Sequence, residues 1–86
     1  MHRTTSRFWD LFARLPEAVQ RIARQNFELL KETPSHPSLH FKKVGKLWSV
    51  RVGLNHRALA VDDAGDYIWV WIGPHDDYIR RIKHQS

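Results

Sequence analysis

The spacing of apolar residues changes once along the chain, near Lys46, and that change restricts the fold more than any other feature. Before it, Phe8, Leu11, Phe12 and Leu15 recur at i, i+3, i+4 and i+7, which makes one apolar helix face. Val19, Ile22, Ala23, Phe27 and Leu30 form a second such stripe. Ser6 is the expected N-cap of the first helix, Pro16 suits the first turn of the second, and Pro34 and Pro37 stop it. Residues 6–33 therefore read as a helical hairpin. Residues 34–46 read as an irregular connection. Beyond Lys46 the period is 2: Trp48, Val50 and Val52 fall on one side of a strand and Leu47, Ser49 and Arg51 on the other. Gly53-Leu54-Asn55 is a turn signal, and His56 to Val61 is a second strand. Tyr67 to Ile72 is a third strand, apolar on both faces, ended by Gly73-Pro74. Asp76 to Lys83 suits a short helix or an extended tail.

Short strands joined by tight turns must run antiparallel, and two amphipathic helices need an apolar surface to cover. The expected architecture is α+β. An N-terminal helical hairpin packs on one face of a three- to four-stranded antiparallel sheet, and the other face is left for function. With 86 residues, one small domain spanning 1–86 is expected. The absence of cysteine excludes a disulfide scaffold, a thiol nucleophile and Cys-based zinc sites, and suits a reducing cytoplasm. No apolar run approaches the ~18 residues of a membrane span, and Met1 to Thr5 has no signal-peptide character. A cytoplasmic protein without membrane contact is expected.

Charge is unevenly placed. Between Thr33 and Val61 there is no Asp or Glu, yet the stretch holds Lys42, Lys43, Lys46, Arg51 and Arg57. It carries the whole net charge of +5, because the remainder has as many acidic as basic residues. Such a segment suits a polyanion or an acidic protein partner, or simply a solvated surface. His36, His40 and His75 are a conceivable metal set, but Pro37 spoils helical presentation of the first two. Neither a metal nor a cofactor is expected.

Several pieces together resemble the RelE/ParE superfamily of toxins. They are the helical hairpin, Phe41-Lys42-Lys43-Val44, Leu47 to Gly53, Asn55 to Leu59, Ile68 to Gly73, and His75-Asp76-Asp77-Tyr78. The resemblance spans essentially the whole chain. It implies a first strand ahead of the helices, lying beside the C-terminal hairpin, for which only Met1 to Thr5 is available. It also implies a toxin of a bacterial type II toxin–antitoxin pair, silenced by a cognate antitoxin. One branch cuts mRNA on the ribosome without a metal. Another binds DNA gyrase and has no known nuclease chemistry.

Metal-free RNA cleavage needs a base for the 2′-hydroxyl, an acid for the leaving 5′-oxygen, and fixed cations for the phosphate. By resemblance, Arg51 matches a basic position of the nucleases and Arg57 their phosphate-binding arginine. Tyr78 matches a tyrosine that stacks on a base or assists proton transfer. Lys42, Lys43 and Lys46 resemble a basic loop that holds ribosomal RNA. His75 stands where arginine is frequent and is the preferred general acid or base. Ser49 departs from the pattern, since a lysine often stands there. The leading expectation is an mRNA endonuclease; the alternatives are a gyrase-binding toxin and a non-catalytic interaction module. Bland readings remain beside these. Arg57 would pair with Asp62 or Asp63, and Tyr78 would be a rim residue. Trp69 and Trp71 are expected to share one strand face, as core or as an exposed apolar floor.

Overall fold

In the computed structural model, which describes residues 1–83, the two helical stripes lie on one face of a single sheet. The helices are α1 (Ser6–Ala13) and α2 (Glu17–Glu32). The strands are β1 (His2–Thr4), β2 (Lys42–Val44), β3 (Leu47–Val52), β4 (His56–Asp63) and β5 (Asp66–Pro74). A terminal helix α3 covers His75–Lys83. The sheet order is β1-β5-β4-β3-β2. It has five strands rather than three or four, because each end of the expected sheet gains a three-residue strand. β1 lies beside β5 and parallel to it, whereas all other pairings are antiparallel.

The caps differ by one residue from the sequence reading. Thr5, not Ser6, caps α1, and its hydroxyl accepts from the Phe8 amide at 3.2 Å. Pro16 precedes α2 instead of opening its first turn. Gln20 then reaches back across the hairpin and donates to the carbonyls of Phe12 and Leu15 at 3.2 and 3.0 Å. Those carbonyls lie at the C-terminal end of α1 and in the joint that follows it, where the helical ladder runs out. One amide side chain thus closes the joint between the helices. Asn26 ties α2 to the sheet by donating to the Arg51 carbonyl at 3.0 Å.

β5 departs from regular alternation. Leu59 of β4 opposes Trp71 and Ala60 opposes Trp69, so Val70 is an extra residue between them. The bulge sends the two tryptophans to opposite faces, which corrects the expectation that they share one. Trp69 is buried under the hairpin with Phe12, Leu30, Val50, Val52, Ala58 and Ile72. Trp71 is buried on the other face with Leu59 and Tyr78, backed by Ile79 and Ile82 of α3. The second face is therefore not left open, because α3 lies on it. Gly73 does not end the strand. It sits under the Trp71 ring, and a Cβ there would stand 2.6 Å from Trp71 Cζ2.

At the β1 edge, His2 stacks on Tyr67 and accepts from Trp69 Nε1 at 3.0 Å through Nδ1. Burial, then the positive charges of the chain's amino group and Lys31, lowers the His2 pKa below its ordinary 6.5. Among the described residues no helix is long and apolar enough to cross a membrane.

Two stability outcomes follow from this packing. Gly73→Ala drives a methyl into a buried ring and is expected to cost about 1–3 kcal/mol in urea unfolding, as overpacked cores do. The neutral form of His2 is the one that accepts the Trp69 hydrogen bond. Stability is thus full above the unfolded pKa of 6.5 and falls as pH drops through the lower folded value. Melting curves between pH 7.5 and 5 should show this loss, and His2→Phe should flatten it.

Candidate functional site

The strand register decides which side chains meet. Arg51 of β3 stands directly opposite Arg57 of β4, and Arg57 stands opposite Gly73 of β5. Direct partners on antiparallel strands share a face, so both guanidiniums lie on the α3 side of the sheet. Two cations facing each other repel, and each is held by backbone carbonyls of the β3–β4 turn. Arg51 Nε donates to the Gly53 carbonyl at 3.1 Å. Arg57 Nη1 donates to the His56 carbonyl at 2.7 Å. The Arg51 guanidinium also approaches His40 Nε2, at 3.4 Å.

Neither arginine takes part in an ion pair among the described residues. The expected pairing of Arg57 with Asp62 or Asp63 is absent, because Asp63 lies at the far end of β4 and binds Arg3 instead. Burial, and then the facing charge of Arg51, lowers the pKa of Arg57 from its ordinary value, with Tyr78 acting in the opposite direction. Burial and the charge of Arg57 likewise lower the pKa of His56.

Tyr78 and Ser49 are both interior. Tyr78 is 5% exposed and Ser49 2% exposed, and Ser49 Oγ donates to the Tyr78 hydroxyl at 3.2 Å. α3 puts Tyr78 there because Leu59 and Trp71 make an apolar seat for its ring. A ring of this size buries roughly 150–250 Å², of order 4–6 kcal/mol at about 25 cal/mol per Å². A single hydrogen bond contributes about 1 kcal/mol net. Packing therefore fixes α3, and the hydrogen bond satisfies two hydroxyls that packing has buried. The Arg57 guanidinium carbon lies 6.0 Å from the Tyr78 ring centre, at the edge of cation–π range.

His75 opens α3 at the rim. Its amide donates to the Asn55 carbonyl at 2.8 Å, and its ring centre lies 5.6 Å from that of Tyr78. Asp76 and Asp77 follow in the first turn of α3, where carboxylates suit the helix dipole, and Asp77 binds Arg80. An open cleft of about 470 Å³ is lined here by His56, Arg57, Pro74, His75, Asp76 and the turn residues Leu54 and Asn55.

The three lysines do not form one basic loop. Lys42 and Lys43 lie on β2, opposite Ser49 and Trp48, so their side chains leave from opposite faces of the sheet. Lys46 sits in the β2–β3 turn, at the other end of β3 from Arg51. Only Lys42 shares a face with the arginines. His36 accepts from the Ser38 amide at 3.2 Å and caps a short 3-10 turn, well separated in role from His75. The sequence reading missed Leu54 and Ile22 as surface residues. Leu54 is 74% exposed at the tip of the turn. The available signal was an apolar residue in a turn, where polar residues dominate.

The hairpin, the five-stranded sheet and the arginine pair at its rim define a RelE-like toxin fold. A family model for the ParE-like toxin domain matches residues 17–80, and the chain belongs to that family, within the RelE/ParE toxins of type II toxin–antitoxin systems. Its fold is similar to that of the RelB–RelE antitoxin–toxin complex from Methanococcus jannaschii, at 14% identity and TM-score 0.71, covering 92% of this chain and 96% of that one. It is also similar to the toxin–antitoxin complex RelBE2 from Mycobacterium tuberculosis, at 16% identity and TM-score 0.64, over 86% and 95%. The isolated Escherichia coli RelE toxin is similar at 11% identity and TM-score 0.61, over 95% and 97%. No curated protein matches the sequence.

The buried hydroxyl pair makes a direct test of this geometry. Tyr78→Phe leaves Ser49 Oγ without its partner and is expected to cost about 1–3 kcal/mol in urea unfolding. Adding Ser49→Ala should return much of that loss, since the orphaned hydroxyl is then gone. Equal and independent costs for the two substitutions would contradict a shared hydrogen bond.

Proposed function

We propose that this protein is the toxin of a type II toxin–antitoxin pair and acts by binding DNA gyrase, without cutting RNA. The Ser49–Tyr78 contact carries this reading. Cleavage without a metal needs an accessible base and acid beside the phosphate-holding cations. Ser49 occupies the position where the ribosome-dependent nucleases often have lysine, and its hydroxyl is buried and engaged. Tyr78, a further candidate for proton transfer, is buried with it, which leaves His75 alone of these groups at the open cleft. Asp76 at the cleft opposes a phosphate backbone. A binding toxin needs none of the missing groups. The ParE-like family model supports the same branch. In this reading a cognate antitoxin silences the protein, as the antitoxin–toxin complexes of similar fold suggest.

A second reading is a metal-independent, ribosome-dependent mRNA endonuclease. It is favoured by the arginine pair, Arg51 and Arg57, which meets no carboxylate. There the two arginines would hold the scissile phosphate and His75 would act as general acid or base. Tyr78 would support the base from below, and Lys42, Lys43 and Lys46 would hold ribosomal RNA.

Purified protein separates the two. Gyrase supercoiling is expected to fall to background at saturating protein, while RNA ends mapped in a translating extract stay unchanged. Undiminished supercoiling, with new RNA ends that vanish in Arg57→Ala, would reverse the assignment.

A further inference from the structure

We infer that the end of the sheet where β3 turns into β4 is the target-docking surface of this protein, and that it fits an acidic protein surface with an apolar notch beside a carboxylate. The inference rests on the protein-binding reading above and names the surface and partner chemistry for it.

Leu54 is the first observation. It stands 74% exposed at the tip of a tight turn, outside both apolar cores. A scattered surface leucine needs no explanation, but this one follows a glycine that an apolar helix residue covers. Ile22 of α2 is 37% exposed and leans on Gly53, where a Cβ would lie 3.7 Å from Ile22 Cδ1. Leu54 and Ile22 thus flank the same glycine from turn and helix.

The arginines are the second observation. Arg51 is fastened to the Gly53 carbonyl in this turn, and Arg57 to the carbonyl of His56, the first residue of β4. Each is already oriented, so little side-chain freedom is lost on binding a carboxylate. Each retains further N–H groups, since a guanidinium has five. Arginine is enriched at binding hot spots, and a well-buried apolar anchor beside it is the usual companion.

The charge pattern chooses between partner classes. A phosphate backbone asks for uniform positive charge. Here the cleft beside Leu54 combines Arg57 with Asp76, and the knob in front of it is a leucine. A protein surface can match all three: a carboxylate for Arg57, a donor for Asp76 and a notch for Leu54. The phosphate backbone of RNA matches only the first, and meeting the others would take a splayed base.

The test measures binding to purified gyrase holoenzyme and, in parallel, growth arrest on expression. Leu54→Ser is expected to weaken gyrase binding at least about tenfold and Arg57→Ala by as much or more, as hot-spot truncations do. Leu54→Met should stay within about threefold of the parent, as volume-conserving apolar swaps do. Lys31→Ala, at the far end of α2, should be silent. Leu54 is solvent-exposed, so melting curves of the Leu54 variants should match the parent. Binding that ignores Leu54→Ser, yet drops steeply with salt and with Arg57→Ala, marks a polyanion site and overturns the inference. If the parent protein neither binds nor inhibits gyrase, the proposed function fails, and growth arrest then decides the docking surface. Relief of arrest by Leu54→Ser with RNA ends unchanged upholds it for another protein target. Undiminished arrest overturns it.

Discussion

One extra residue in β5 determines how the rest of the molecule is organised. Without the bulge at Val70, Trp69 and Trp71 would point the same way, and one sheet face would lack its largest side chain. With it, each face gains a buried indole, and the sheet can be covered from both sides. Trp71 then serves as the seat for α3, together with Leu59 and Tyr78. Gly73 is needed for the same reason, because a Cβ there would press into the indole. The short helix owes its position to these rings more than to its own propensity, since a helix of one or two turns has little stability by itself.

The placement of α3 has a polar consequence. It encloses Ser49 and Tyr78 and moves the open part of that face to its rim, where Arg51, Arg57 and His75 lie. At that rim Arg57 stands with the apolar Leu54, the His75 imidazole and the Asp76 carboxylate around one open cleft. The two arginines tolerate their mutual repulsion because turn carbonyls supply partial negative charge to both.

Much of this was legible beforehand. The change of period near Lys46 separates the helical half from the stranded half, and the helical stripes and β3 parity match the structure. The same parity put Arg51 and Arg57 on one face. What could not be read had a common physical cause: short or irregular pairing. Lys42–Val44 is too brief to show alternation, so β2 read as loop. The parallel partner of β1 is separated from it by more than sixty residues. A bulge leaves no compositional trace in Trp69-Val70-Trp71, and a period of 2 applied there gives the wrong face. That single slip made the α3 side look empty. It is also why neither reading of Tyr78, as a site residue or as a rim residue, placed it in the interior.

Both margins of the sheet are three-residue strands that bear cations: Arg3 on β1, and Lys42 and Lys43 on β2. An unpaired strand margin is a template for another chain, and short, positively charged margins are poor templates. On β2 the charge of Lys42 and Lys43 would repel a second β2 margin, whereas Arg3 on β1 is already paired with Asp63 and Asp66. Part of the basic segment thus sits where a short, charged margin disfavours addition of further strands to a small, aromatic-rich sheet.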